Sequence, residues 1–244
     1  MANPPFNQKD WREENQLRDD PRWAGYEIPP TSNANYAWIL NMVSKLSQNG
    51  VAGFILANGA LSADGTELAI RRKLIEDKLV EAIVILPQNL FYSTPISVSL
   101  WILNHNKKCR IDSVNGQTVH YRDREDEVLF IDLRSKGEPF EKKFVQLSEA
   151  VIREAAEVYH NWQAEGYTDT YSDIPEYCQS VDISQIEKKQ FTLIPSKYIK
   201  FNEEKGQDIE ERVNSLRKEL LSIIAEGDQS QAQVINLLSS ISQD

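Results

Sequence analysis

Cysteine and histidine are scarce in this chain, and the shortage removes whole classes of chemistry. Two cysteines, Cys109 and Cys178, lie far apart, with no C-x-x-C pair, and His105, His120 and His160 are scattered. That leaves no disulfide framework and no zinc ligand set, so no metal is expected and the cytoplasm is the expected compartment. No run approaches the ~20 apolar residues that cross a bilayer. The first residues lack the basic and apolar regions of a signal peptide. Cations are outnumbered: 27 Lys and Arg against 37 Asp and Glu give a net charge of −10. A surface-wide nucleic-acid footprint is thereby excluded, which leaves a local basic patch or a partner that supplies the phosphate contacts.

What is present is ordinary for a globular protein, with 41% hydrophobic and 26% charged residues. The 244 residues suffice for one sizeable core plus an appendage, or for two small domains. One stretch carries chemistry: Asn3-Pro4-Pro5-Phe6. Two prolines fix φ twice and remove two donors, and Asn3, preceding a proline, is driven toward an extended conformation. The stiff turn presents an amide, free carbonyls and an aromatic face in fixed relation. That inventory suits an exocyclic amine on a base, whose hydrogens an Asn oxygen and a proline carbonyl accept while Phe6 stacks on the ring. A plain Asn-Pro turn opener has the same four residues, so the rest of the chain must decide.

Residues 7–34 are polar and turn-rich, with Trp11, Trp23 and Tyr26 as anchors, and read as a long ordered loop. Asn33 or Asn35 is expected to cap a helix running to about Ser47, closed by Asn49-Gly50. Val51 to Ala57 and Glu81 to Pro87 are short apolar runs typical of strands buried on both faces, with a helix from Thr66 to Asp77 between them. Ile96 to Asn104 forms a third strand. The connection before it, Gln88 to Pro95, is too short for a crossover helix, so this strand is expected to pair antiparallel. A further strand is expected at Val128–Leu133, after a charged loop, and a helix at Leu147–Ala164. Residues 165–180 read as loop or linker. His105 to Arg110 is the one compact basic cluster near a strand end and reads as a solvated loop, with a phosphate contact as the lesser alternative. Trp11, Trp23 and Trp38 read as packing anchors. The tail holds an apolar seam, Ile209, Val213, Leu216, Leu220 and Ile223, and a last short helix carries Val234, Leu238 and Ile241.

With these pieces in order, the chain resembles the modification (methylation) subunit of type I restriction–modification systems, within the N6-adenine DNA methyltransferases. The resemblance rests on Asn3-Pro4-Pro5-Phe6, Asn35-Tyr36-Ala37-Trp38, the Gly50 to Leu56 run, Glu67 to Glu76 with Arg71 and Leu74, and Leu86 to Ile96. Tyr198, within Phe191 to Tyr198, looks like that subunit's post-domain motif. One departure is Ser93, where the family often has glycine.

The resemblance implies an α/β fold: the C-terminal half of a Rossmann-like methyltransferase sheet, its last strands including an antiparallel one, with a helical tail. It divides the chain into 1–165 (part of the catalytic domain), 166–206 (linker and post-domain motif) and 207–244 (a helical tail for subunit docking). It implies transfer of a methyl group from S-adenosylmethionine to N6 of a flipped adenine in DNA. Asn3 and the Pro4 carbonyl would accept from N6, Pro5 would hold the turn, and Phe6 would stack on the base. Phe91 is a candidate for the other wall, and equally a core aromatic beside a strand. The family's cofactor site is a glycine-rich turn and an acidic residue upstream of the Asn-Pro-Pro-Phe motif. No G-x-G occurs here. A C-terminal fragment that binds no S-adenosylmethionine by itself is therefore expected, with its cofactor-binding residues unassigned. Its strand at Val51–Ala57 would be left without a neighbour. The implied partners are DNA and the specificity and restriction subunits of the same system, with self-association through the exposed edge and tail seam. Two rivals stand beside this reading: a non-catalytic remnant acting as an interaction module for the specificity subunit or as a homo-oligomer, and an unrelated α/β enzyme with a fortuitous motif.

Overall fold

The computed structural model describes residues 1–92, 94–114, 116–201, 213–224 and 227. The chain separates into two units, Met1–Lys200 and Phe201–Asp244.

In the first unit, α1 (Asn35–Val43) buries Tyr36, Ala37, Ile39 and Leu40. It ends sooner than the apolar spacing predicts, and the chain turns tightly at Gly50. A Cβ there would stand 2.8 Å from the Ser47 backbone nitrogen, so glycine is required before β1 (Val51–Ala57). Next come α2 (Thr66–Glu76), β2 (Val80–Ile85) and β3 (Val98–Asn104). Two hairpins interrupt the main sheet's sequence, β4 (Arg110–Val114) with β5 (Gln117–Tyr121) and β7 (Glu138–Phe140) with β8 (Phe144–Gln146), and β6 (Glu127–Asp132) lies between them. The amphipathic α3 (Glu149–Gln163), β9 (Cys178–Asp182) and α4 (Ile183–Lys188) follow.

The main sheet has the order β1-β3-β2-β6-β9. β3 runs antiparallel to both β1 and β2, as its short approach requires. β6 is parallel to β2, and β9 antiparallel to β6. β2 is buried at every position, as expected of a strand with helices on both faces. One face carries Phe54, Leu56, Ile83, Trp101 and Phe130, covered by residues of α1, α2 and α4. The alternating residues Ala82, Val84, Leu129 and Ile131 point to the other face, where α3 packs with Trp162, Val151, Ala155 and Val158. β1 is an edge strand with Val51 half exposed. Ala2 forms a parallel bridge to Phe54 on its outer side: Ala2 N donates to Gly53 O at 3.0 Å and Ile55 N to Ala2 O at 3.2 Å.

Three expectations change. The span 165–180 is not wholly loop, and the described part of the expected linker, residues 166–201, is built into the fold through residue 200. β9 completes the sheet, Arg71 Nε donates to Phe191 O at 2.7 Å, and the Tyr198 ring stacks on Phe130 with centroids 4.6 Å apart. Only Cys178 and Val181 of β9 are fully buried, which is why the segment looks polar in sequence. The basic cluster is not simply solvated: Lys107 is buried, its ammonium donating to the carbonyls of Val80 at 2.9 Å and Glu127 at 2.7 Å. The charged loop before Val128 contains the β4–β5 hairpin. In the second unit, residues 213–224 are helical, and Val213, Leu216, Leu220 and Ile223 are exposed. Ser93, Ile209, Val234, Leu238 and Ile241 lie outside the described residues.

Candidate functional site

The Ala2 bridge fixes where the Asn-Pro-Pro-Phe turn begins. Because residues 1–3 run parallel to β1, Asn3 emerges toward the strand's C-terminal end. β2 and β6 point the same way, and this is the edge where open α/β sheets place their ligands. The loop after β2 starts there too. Leu86 N donates to Val98 O at 2.9 Å, and the Ser97 hydroxyl donates to Leu86 O at 2.6 Å and accepts from Asn58 Nδ2 at 3.1 Å. Asn89, in the left-handed region at φ 57°, reverses the chain, with Asn89 N donating to Pro95 O at 3.2 Å. Thr94 N donates to Phe91 O at 3.3 Å, which closes the tip of the loop.

These two segments meet. Asn3, Pro4, Pro5, Phe6, Phe91 and Thr94 line one cavity of about 360 Å³, within the ~300–1,000 Å³ usual for ligand clefts. Pro4 is buried, Phe6 and Phe91 are half-buried against the α3-side apolar cluster, and Asn3 is exposed. Among the described residues the Asn3 amide has no hydrogen-bond partner. None of the six side chains titrates, so the cavity offers amide, carbonyl and hydroxyl groups with two aromatic faces and no charge. It suits a flat, neutral ring bearing an amine. The chain thus gathers every predicted site residue, Phe91 included, and adds Thr94.

Pro5 also lines a second cavity, of about 420 Å³, with Trp11, Trp23 and Trp38. Trp11 and Trp23 meet edge to face at 6.1 Å, and their indole nitrogens donate to Pro30 O and Leu17 O, each at 2.7 Å. They anchor the loop of residues 7–34 behind the turn.

The sequence reading missed the device at the exit of the turn. Asn7 N donates to Asn35 Oδ1 at 3.0 Å, and Asn35 Nδ2 donates to Asn7 Oδ1 at 2.9 Å. Asn35 is therefore no simple helix cap. The cap position belongs to Ala34, and Asn33 Oδ1 accepts from Asn35 N at 2.9 Å. An Asx-rich helix start was the available signal, but its partner lies 28 residues away.

The model of one family, described as "N-6 DNA Methylase", matches residues 1–207. The chain is 36% identical over 237 residues to the HindI methylase subunit, a type I restriction enzyme subunit of Haemophilus influenzae; the match spans 96% of this chain and 49% of that one. It is 30% identical over 246 residues to the MjaIX methylase subunit of Methanocaldococcus jannaschii, across 99% of this chain and 42% of the relative. The chain thus spans about half the length of the curated relatives it matches. Among solved structures, the methyltransferase subunit of a type I restriction–modification system from Streptococcus thermophilus superposes with a TM-score of 0.67 and 25% identity, over 82% of this chain and 37% of that one.

Proposed function

The chain belongs to the N-6 DNA methylase family, and from that premise we propose that it is the target-base part of a type I modification subunit. The whole enzyme would transfer a methyl group from S-adenosylmethionine to N6 of adenine in DNA. The observation that carries this reading is the uncharged cavity shared by Asn3, Pro4, Phe6 and Phe91 at the C-terminal edge of the sheet. An adenine flipped into it would be stacked by Phe6, with Phe91 as the facing wall. The Asn3 amide oxygen and the Pro4 carbonyl would each accept one N6 hydrogen, which directs the nitrogen lone pair away from the turn. No side chain there removes a proton before transfer, so positioning and exclusion of water carry the acceleration.

The cavity does not fit S-adenosylmethionine itself. A sulfonium with an amino-acid head calls for anionic and cationic partners, and this lining has neither. The cofactor's binding groups are not among these residues. DNA and the specificity and restriction subunits are the proposed partners. The exposed apolar stripe Val213, Leu216, Leu220 and Ile223 favours docking of the specificity subunit through that helix.

The test is Asn3→Ala in the assembled modification enzyme. Methylation should be lost while the gel-shift affinity for duplex DNA is retained, because Asn3 acts on the flipped base and not on phosphates. Equal loss of binding and of activity would contradict the role.

A further inference from the structure

We infer that Asn35, a buried residue of α1 outside the motif, is a positioning residue that sets the geometry of the Asn3–Phe6 turn through Asn7. The inference rests on the cavity being the target-base site. Among the described residues, the turn is held by hydrogen bonds at both ends and nowhere between. At its entrance Ala2 is bound on both its N–H and its carbonyl to β1. At its exit the Asn7 backbone N–H and side-chain oxygen are both taken by the one Asn35 amide, at 3.0 and 2.9 Å, closing a ring. Ala34 N donates to Gln8 O at 2.9 Å beside it. Four residues separate the anchors, and two are prolines with φ fixed. A shift at Asn7 therefore has few rotations in which to dissipate before it reaches the Asn3 amide and the Pro4 carbonyl.

Each partner has the side chain its place requires. Asn35 is 1% exposed and must present an acceptor and a donor together, which an amide does and a carboxylate does not. Its own backbone N–H is held by Asn33 Oδ1 at 2.9 Å, so the ring is fixed to the helix start. The Tyr36 hydroxyl next to it donates to Ala60 O at 2.7 Å, which ties that helix start to the segment after β1. Asn7 sits at φ 52°, in the left-handed region that Asn and Asp tolerate better than most residues. Its side chain need only accept. The pairing is therefore asymmetric: Asp is accepted directly at position 7. Asp at position 35 requires the Asn7 amide to turn over and donate, which gives up the contact from Asn33 Nδ2 at 3.5 Å. Asp at both positions leaves no side-chain donor in the ring.

That asymmetry supplies the experiment, run on the assembled enzyme with DNA and S-adenosylmethionine saturating. Asn35→Ala, and Asn35→Asp combined with Asn7→Asp, should each lower kcat about ten- to a hundredfold, the cost of a misplacement near 1 Å. KM for DNA and the fraction of protein competent to bind duplex should stay at wild-type values. Asn7→Asp should stay within about twofold of wild type, because both hydrogen bonds survive. In the chain by itself, Asn35→Ala should speed hydrogen exchange at the Asn7 amide while the amides of β2 keep their protection. An unchanged kcat in Asn35→Ala overturns the inference. So does a loss matched by an equal fall in binding-competent protein, or an Asn7→Asp enzyme as slow as Asn35→Ala. If wild type methylates and Asn3→Ala does not, but Asn35→Ala is fully active, the inference alone fails. If the wild-type assembly does not methylate, the functional reading fails and takes the inference with it.

Discussion

Glu81 and Asn3 stand at opposite ends of one sheet. Both oxygens of Glu81 are taken: Oε1 accepts from Arg124 at 3.0 and 2.8 Å and from Gln163 at 3.1 Å, and Oε2 accepts from Asn104 at 2.8 Å and the Tyr159 hydroxyl at 2.9 Å. Neither side chain of the Glu81–Arg124 pair is exposed at all. Lys107 closes the same end with its ammonium on backbone carbonyls. At the other end Asn3 is exposed and bound to nothing within the described residues, although the turn carrying it is fixed on both sides. One end uses polar groups to complete the fold. The other holds them rigidly and leaves them unanswered, as a site must if its partner is a ligand. Burial alone therefore misleads as a guide to function here, since the most deeply buried charges are structural.

The largest effect expected from this contrast is that of Arg124→Ala. It leaves a carboxylate buried without its cation, and removing one member of a buried pair costs about 3–5 kcal/mol. Urea unfolding of the chain should show the loss as a lowered midpoint. Adding Glu81→Gln to Arg124→Ala should recover part of that loss, because the unpaired charge is gone while an acceptor remains for Asn104 and Tyr159. If the double replacement is the worse of the two, the network does more than satisfy its own charges.

The sequence makes part of this contrast readable. β1 and β2 announce themselves as apolar runs between turns, and the short approach to β3 dictates its direction. The chemistry of the turn is local, so Asn3 to Phe6 are legible, and Phe91 is within reach because its loop leaves a strand end. The structural end is not legible. Lys107 stands in a run of basic residues, and nothing nearby in sequence reveals the carbonyls of Val80 and Glu127 that receive it. β9 hides because two buried residues suffice for an edge strand. The dipeptide Asn115-Gly116 between two alternating runs is a hairpin signal, and charge on either side obscures it. Asn7 and Asn35 meet only through the fold.

An acid titration probes the buried end with a smaller effect. Burial pushes the Glu81 carboxyl up, but the Arg124 charge and the hydrogen bonds from Arg124, Gln163 and Asn104 outweigh it and hold it below the usual Glu range. The folded value thus lies below the unfolded one, about 4.3. The group's contribution is fully present above that pH and is lost as pH falls through the folded value. Between about pH 6 and pH 3, the urea midpoint of wild type should fall more steeply than that of Glu81→Gln, which cannot titrate there. Parallel slopes would mean that Glu81 does not hold its proton differently in the folded state.

The smallest effect belongs to Asn3→Ala, read as stability. Asn3 precedes a proline, so its backbone is extended whatever its side chain, and alanine accepts that conformation without strain. Its amide makes no hydrogen bond to the described residues, and it is exposed, so water replaces nothing buried. Its neighbours are held by Ala2 on β1 and by Asn7 on α1, neither of which involves the Asn3 side chain. Exposed substitutions clear of such contacts stay within about 0.5 kcal/mol, which for a unit of this size is about 1–2 °C in Tm. Calorimetry on the chain should therefore find wild type and Asn3→Ala nearly superimposable, while Arg124→Ala melts many degrees lower. A drop of about 2 kcal/mol or more, the range reserved for core, cap and network losses, would make Asn3 a structural residue. The contrast between the two ends of the sheet would then collapse, and loss of methylation in that variant would no longer speak for a role at the base.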